Sequence, residues 1–192
     1  MSGNGLPILP FIRISIVAFL DPKDITKQAN IKEGMIVADF GSGSGFRTIP
    51  IAHAVGRSGR VYALDIQKEM LEVVRGKAKA DHLLNVYTIW ADLESPNGST
   101  LKDDYTDHVV VANILFQADD KDAVAKEAFR ILKSKGTASV VEWDISAGVL
   151  GPPKEQLIDK AKTKEVFTAA GFIWDKEFYT GEHHYGLLFK KS

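Results

Sequence analysis

The chain has 192 residues, of which 45% are hydrophobic and 26% charged, and its 24 basic and 25 acidic residues give a formal net charge of −1. This length and composition are typical of one globular domain with a substantial core, and they exclude a disordered chain. The near-neutral charge gives no indication of a duplex nucleic-acid partner. The sequence contains no cysteine, which excludes disulfides, thiolate catalysis and cysteine-held metal clusters.

The N-terminal stretch, MSGNGLPILPFIRISIVAFLDP, is hydrophobic but is interrupted by prolines and by Arg13. Its apolar part is too short to span a bilayer and lacks a basic leader. We therefore expect no membrane span and no signal peptide, and a cytoplasmic location. Residues 1–20 are predicted to form an arm that packs on the domain or acts as a lid, and residues 21–192 to form the core of a single domain.

Strands and helices are predicted to alternate along that core. A short helix begins near Asp21, a candidate N-cap, and strands follow at MIVADF, GRVYALD, NVYTIWAD, HVVVANILF and KSKGTASVVEWD. Helices are predicted at FRTIPIAHAVG, KEMLEVVRGKAKADHL, DDKDAVAKEAFRIL and KEQLIDKAKTKEVFTAAG. Two closing strands, FIWDKEFYTG and HHYGLLFKK, are joined by a tight turn. This alternation indicates an α/β fold with a doubly wound, mostly parallel sheet, and the final hairpin makes one strand antiparallel.

Three glycines, Gly41, Gly43 and Gly45, directly follow the first predicted strand. Glycine in a strand-to-helix turn lets the backbone approach a ligand closely, and doubly wound sheets bind nucleotides at this end. An acid at the end of the second strand, here Asp65, is in the position to bind ribose hydroxyls. The spacing G-x-G-x-G differs from the dinucleotide pattern G-x-G-x-x-G, which argues against an NAD site.

Four stretches occur in a fixed order: DFGSGSG at 39–45, ALD ending at Asp65, WAD ending at Asp92 and VVVAN ending at Asn113. In order and spacing they resemble the class I S-adenosylmethionine-dependent methyltransferases over about residues 20–191, and the GPP loop is similar to that of the ubiquinone/menaquinone-biosynthesis type. The resemblance implies a Rossmann-like, seven-stranded sheet of order 3-2-1-4-5-7-6, with the last strand antiparallel and helices on both faces. It also implies an enzyme that uses S-adenosyl-L-methionine and releases S-adenosyl-L-homocysteine.

The resemblance implies roles for individual residues as well. Asp39 would contact the methionine end directly or through water, Asp65 would accept both ribose hydroxyls, and Asp92 would accept the adenine amino group. Asn113 would line the sulfonium side and is a candidate catalytic residue. The implied cofactor-binding set is Asp39, Gly41, Ser42, Gly43, Gly45, Asp65, Ile66, Asp92, Leu93 and Asn113. Structural alternatives stay open: a satisfied buried acid at Asp39, a helix cap at Asp65, a turn at Asp92 and a loop cap at Asn113.

Methyl transfer from a sulfonium needs an aligned acceptor, exclusion of water and, for some acceptors, removal of a proton. No metal is needed, and adjacent histidines without a further ligand do not indicate a metal site. His184 is a candidate base, although GEHHYG is also typical of a polar hairpin turn. The residues predicted to bind the acceptor are Phe19, Phe116, Gln117, Trp143 and Tyr185.

The acceptor itself is not named by the sequence. The connection after the fifth strand is short, so the pocket is open, shaped by the N-terminal arm or completed by a partner subunit. We expect a monomer or a homodimer. We expect a small-molecule acceptor, and the aromatic residues near the site fit an apolar one. The alternatives are a nicotinamide oxidoreductase, a cofactor-binding module or subunit of a larger complex without independent catalysis, and methylation of protein or RNA. The three acids kept together favour an enzyme over a binding module.

Overall fold

The computed structural model describes residues 22–145, 151–181 and 183–192. The predicted N-terminal arm with Phe19 lies outside these ranges, as do residues 146–150 of the loop after the fifth strand. In the described ranges, no helix is both long enough and apolar enough to cross a membrane.

Seven strands form one sheet. They are β1 (Ile36–Phe40), β2 (Arg60–Asp65), β3 (Val86–Trp90), β4 (Thr106–Ala112), β5 (Leu132–Trp143), β6 (Ile173–Phe178) and β7 (His184–Lys190). The spatial order is β3-β2-β1-β4-β5-β7-β6, and β7 runs antiparallel to both of its neighbours while the other pairs are parallel. The predicted strand order and the antiparallel last strand are both confirmed.

Helices cover both faces of the sheet. They are α1 (Pro22–Gln28), α2 (Thr48–Val55), α3 (Lys68–Ala80), α4 (Lys121–Ile131) and α5 (Lys160–Ala169). Successive residues of a strand point to opposite faces. Val110 of β4 therefore packs with residues of α1 and α2, whereas its neighbours Val109 and Val111 pack with residues of α4 and α5. This burial on both sides explains why the β4 sequence is continuously apolar.

Two predicted boundaries are wrong. The fourth strand ends at Ala112 instead of continuing through Phe116, because Asn113 has a φ of 56° and the chain turns away from the sheet. The last helix begins at Lys160, where Asp159 accepts a hydrogen bond from the Lys162 backbone at 2.7 Å and caps the first turn. The preceding residues, Lys154–Gln156, form only a short 3-10 turn.

Candidate functional site

A cavity of about 440 Å³ lies at the carboxyl ends of β1 to β4. The chain leaves β1 towards β2 on one side and leaves β4 towards β5 on the other, and this divergence opens a crevice between the two strands. Eight of the ten predicted cofactor residues line it: Gly41, Ser42, Gly43, Asp65, Ile66, Asp92, Leu93 and Asn113. A larger cavity of about 580 Å³ lies near the amino ends of β2 and β3 and contains none of them.

The three glycines of the loop after β1 are required for different structural reasons. All three have positive φ angles, of 66°, 51° and 82° at Gly41, Gly43 and Gly45. A Cβ on Gly41 would overlap the side chain of Ile114, and a Cβ on Gly45 would lie 3.2 Å from Val74 of α3. A Cβ on Gly43 would meet no atom within 4 Å. Gly43 therefore presents bare backbone to the cavity, whereas Gly45 lies behind it and permits close packing of α3.

Asp65 connects the end of β2 to the glycine loop. Its Oδ2 accepts a hydrogen bond from the Gly43 backbone at 2.8 Å, and its Oδ1 accepts one from the Gln67 backbone at 2.9 Å. The N-cap of α3 is Gln67, so Asp65 is not the cap residue of that helix. Its carboxylate is 8% exposed and belongs to the cavity wall.

The end of the cavity next to β3 has an apolar surface and an acidic side chain. Ile66 is 58% exposed although it lies in a concave wall, and Leu93 lines the same region. Asp92 accepts hydrogen bonds from the Ser95 hydroxyl at 2.7 Å and the Glu94 backbone at 3.1 Å. The Ser95 hydrogen bond lowers the Asp92 pKa most, so this side chain is an anion. Asp92 thus begins a turn and lines the cavity at the same time.

Asp39 lies behind the glycine loop and is only 1% exposed. Its Oδ2 accepts a hydrogen bond from the Thr48 hydroxyl at 2.6 Å. Burial raises the Asp39 pKa to about 6, although the hydrogen bond from Thr48 and the charge of Arg47 lower it. Asp39 does not line the cavity, and its predicted contact with the methionine end stays a prediction.

Sequence reasoning missed Arg47, which lines the cavity beside the glycine loop. The residue directly precedes α2, in the N-cap position. A basic residue immediately after a glycine loop was the available signal, since helix N-termini do not favour cations.

Asn113 places the chain after β4 against the cavity. Its backbone N–H donates to the Val141 carbonyl at 2.8 Å, and its own carbonyl accepts from Gln117 Nε2 at 3.1 Å. The side-chain Oδ1 is buried and has no hydrogen-bond partner among residues 22–145, 151–181 and 183–192. Gln117 lines the cavity with Asn113, whereas Phe116 does not.

Glu142, near the end of β5, holds this loop in place. It is 0% exposed, and its Oε1 accepts the backbone N–H groups of Ile114 and Leu115 at 2.9 and 2.7 Å. Burial raises the Glu142 pKa to about 7, against the effect of these two bonds and of Arg47. These hydrogen bonds turn the backbone out of the β4 ladder, which is the physical reason that the strand ends early.

Three predicted acceptor-side residues lie outside the cavity wall. Trp143 and His184 form a tilted ring pair with centroids 4.2 Å apart. Burial, together with the charges of Arg47 and His183, lowers the His184 pKa to about 4. Tyr185 is buried near α5, where its hydroxyl contacts the Thr163 hydroxyl at 2.7 Å and donates to a backbone carbonyl at 2.8 Å. Burial raises the Tyr185 pKa above its ordinary value.

Known proteins share this architecture and sequence. A family model described as a methyltransferase domain matches residues 31–186. The chain is 33% identical over 120 residues to a demethylmenaquinone methyltransferase of a Geobacillus species, covering 62% of this chain and 50% of that protein. It is 33% identical over 122 residues to a ubiquinone/menaquinone biosynthesis C-methyltransferase of Vibrio campbellii, covering 63% and 45%. The chain therefore spans about half the length of the curated relatives it matches.

Among solved structures, the fold is similar to that of a SAM-dependent methyltransferase from Aquifex aeolicus. The two superpose with a TM-score of 0.83 and 25% sequence identity, and the match covers 91% of each chain.

Proposed function

Since this chain belongs to the class I S-adenosylmethionine-dependent methyltransferase family, we propose that it transfers the methyl group of S-adenosylmethionine to a small-molecule acceptor. The observation that carries the proposal is the Asp65 carboxylate, which lies at the bare Gly43 backbone in the wall of a cavity of about 440 Å³. A carboxylate is an acceptor-only group and suits two neighbouring ribose hydroxyls. The glycine loop gives no pyrophosphate pattern that would favour a nicotinamide dinucleotide instead.

The rest of the cavity fits the same cofactor. The exposed Ile66 offers an apolar surface that an adenine ring would cover, a favourable burial of apolar area. Asp92, an acceptor, suits the adenine amino group. We therefore propose that adenine lies beside β3, ribose at Asp65 and the methionine end towards Asn113 and Arg47.

Bound S-adenosylmethionine supplies a methyl group on positively charged sulfur, which is already activated for displacement. The protein therefore has to align the acceptor with this methyl group and exclude water. Asn113 and Gln117 line the side of the cavity next to β4 and are the described residues best placed to contact an acceptor. The catalytic role of His184 stays a prediction, and a ring with a pKa of about 4 is a weak base at neutral pH.

The finer proposal concerns the class of acceptor. The names of the two curated relatives support a quinone-type ring methylated on carbon. Such compounds are therefore the first acceptors to test. Small polar acceptors come second, because Asn113, Gln117 and Arg47 make this part of the wall polar.

Calorimetric titration tests the cofactor. We expect micromolar binding of S-adenosylmethionine and S-adenosylhomocysteine and none of NAD. Asp65→Ala should weaken both by about 100-fold or more, because each hydrogen bond to a charged group contributes about 1.5–3 kcal/mol. Asp119→Ala, which removes an exposed acid outside the cavity, is the matched control and should bind normally.

Methyl transfer is then followed with isotopically labelled S-adenosylmethionine and the acceptor panel. A well-folded protein that binds neither cofactor form overturns the proposal. Tight cofactor binding without transfer to any small molecule, protein or RNA favours the binding-module alternative.

A further inference from the structure

Arg47 is a charged residue of the cavity wall whose side chain has no partner within residues 22–145, 151–181 and 183–192. The guanidinium forms no hydrogen bond or ion pair with any of these residues, and its Nε is buried there without an acceptor. Arg75 and Arg130, in contrast, each pair with a glutamate. A buried donor without an acceptor raises the free energy of the folded protein, so a ligand that supplies the acceptor gains binding free energy.

The acids near Arg47 do not satisfy it. Asp39 and Glu142 are close enough for the Arg47 charge to lower their pKa values, yet neither forms an ion pair with it. Burial nevertheless raises these two pKa values to about 6 and about 7, so part of their negative charge is lost near neutral pH. An arginine stays protonated under these conditions. Arg47 therefore offers a net positive group to the cavity.

We propose that Arg47 binds a carboxylate in this cavity, and that the methionine end of S-adenosylmethionine supplies it. The planar guanidinium presents two parallel N–H groups that match the two oxygens of a carboxylate. The inference rests on the proposed function, because it assigns a binding partner within the same cofactor site.

The position of Arg47 selects the methionine end of the cofactor. Arg47 follows the loop after β1, which pairs with β4, whereas Asp92 follows the edge strand β3 beyond β2. Arg47 thus lies on the opposite side of Asp65 from the proposed adenine position. An α-amino acid carries one anion and one cation, and Arg47 is complementary to the anion.

A pair of ligands isolates this contact. S-adenosylhomocysteine carries the amino-acid group, whereas 5′-methylthioadenosine retains adenine, ribose and sulfur but lacks it. In calorimetric titrations, Arg47→Gln should weaken S-adenosylhomocysteine binding by about 10- to 100-fold and change 5′-methylthioadenosine binding by less than about threefold. Arg47→Lys should retain part of the affinity. Arg57→Gln, an exposed position two residues after the end of α2, should change the binding of neither ligand. Thermal unfolding confirms that each variant is folded.

A second arm distinguishes the source of the carboxylate. Benzoate is titrated into wild type and Arg47→Gln, with and without S-adenosylhomocysteine. If Arg47→Gln leaves S-adenosylhomocysteine binding intact but abolishes benzoate binding, Arg47 binds a carboxylate of the acceptor and the cofactor assignment is wrong. If it weakens both adenosine ligands equally, or affects neither ligand nor benzoate, the carboxylate site is overturned. Failure of the wild-type chain to bind either adenosine ligand instead overturns the proposed function.

Discussion

Replacing Glu142 with glutamine is expected to change how the stability of the protein depends on pH. The carboxyl is 0% exposed, its Oε1 accepts the backbone N–H groups of Ile114 and Leu115, and its Oε2 has no partner in the part of the chain that the structure describes. Burial raises the Glu142 pKa from 4.5 to about 7, while the two hydrogen bonds and the charges of Arg47 and Lys121 lower it. Glutamine keeps an oxygen for the two N–H groups and removes the titration.

The size of the effect follows from this pKa shift. Folded wild type keeps a proton on Glu142 at pH values where the unfolded chain has lost it, so the free energy of unfolding falls as pH rises from 4.5 through about 7. At about 1.36 kcal/mol per pKa unit, the full effect is on the order of 3 kcal/mol, and most of it develops between about pH 5 and pH 8. Glu142→Gln should gain that amount relative to wild type over the same interval.

Urea unfolding of both proteins at several pH values measures the difference directly. Asp39 also titrates in this range, but it is present in both proteins and largely cancels. Glu155→Gln, an exposed acid in the short turn before α5, is the control and should run parallel to wild type. Parallel curves for Glu142→Gln as well would refute the view that its carboxyl is held in a poorly solvated site.

Four further substitutions test the structural roles of individual residues. Gly41→Ala should lower the free energy of unfolding by about 2–4 kcal/mol, because a φ of 66° and the overlap with Ile114 both oppose a Cβ. Gly43→Ala should lower it by only about 1–2 kcal/mol, because a Cβ there meets no atom within 4 Å. Equal losses for the two variants in urea unfolding would contradict this. Tyr185→Phe should lower the free energy of unfolding by about 1–3 kcal/mol, since the hydroxyl makes two buried hydrogen bonds. Calorimetry should show unchanged affinity for S-adenosylhomocysteine. A large loss of affinity would instead support a role of Tyr185 in the binding site. Burial lowers the His108 pKa to about 3, so the free energy of unfolding of the wild type should fall as the pH drops below about 6.5. In urea unfolding, the free energy of unfolding of His108→Gln should fall less steeply over the same pH range. Equal pH dependence of the two proteins would contradict this.

The position of the cavity was predictable because the residues expected to bind the cofactor lie in short contiguous stretches. The glycine loop and Asp65 follow directly from the ends of β1 and β2, and the alternation of strands and helices brings these ends together. The predicted strand order needed no knowledge of side-chain packing. Eight of the ten residues predicted to bind the cofactor accordingly line one cavity.

The remaining features depend on contacts between distant segments. Glu142 reaches back to Ile114, and that contact ends β4 where the apolar run alone predicts a longer strand. Tyr185 was expected to face the acceptor, but the alternation of β7 turns it towards α5, where Thr163 provides a partner. Arg47 stands out because its side chain has no partner among the described residues, and the sequence signals only that a basic residue follows the glycine loop.

The seam between β1 and β4 divides the sheet into two parts that come from different segments of the chain. Proposed contacts to adenine and ribose come from residues 36–93, whereas β4, β5 and β7 come from residues 106–190. Val37 to Phe40 pair with His108 to Val111 across the seam through backbone groups, which depend little on side-chain identity. Side chains of both parts also share the core clusters, so we expect exchange of the second part to succeed with a relative whose core residues match. A chimera that joins residues 22–105 of this chain to the corresponding second half of a relative should keep its affinity for S-adenosylhomocysteine while its acceptor preference follows the donor.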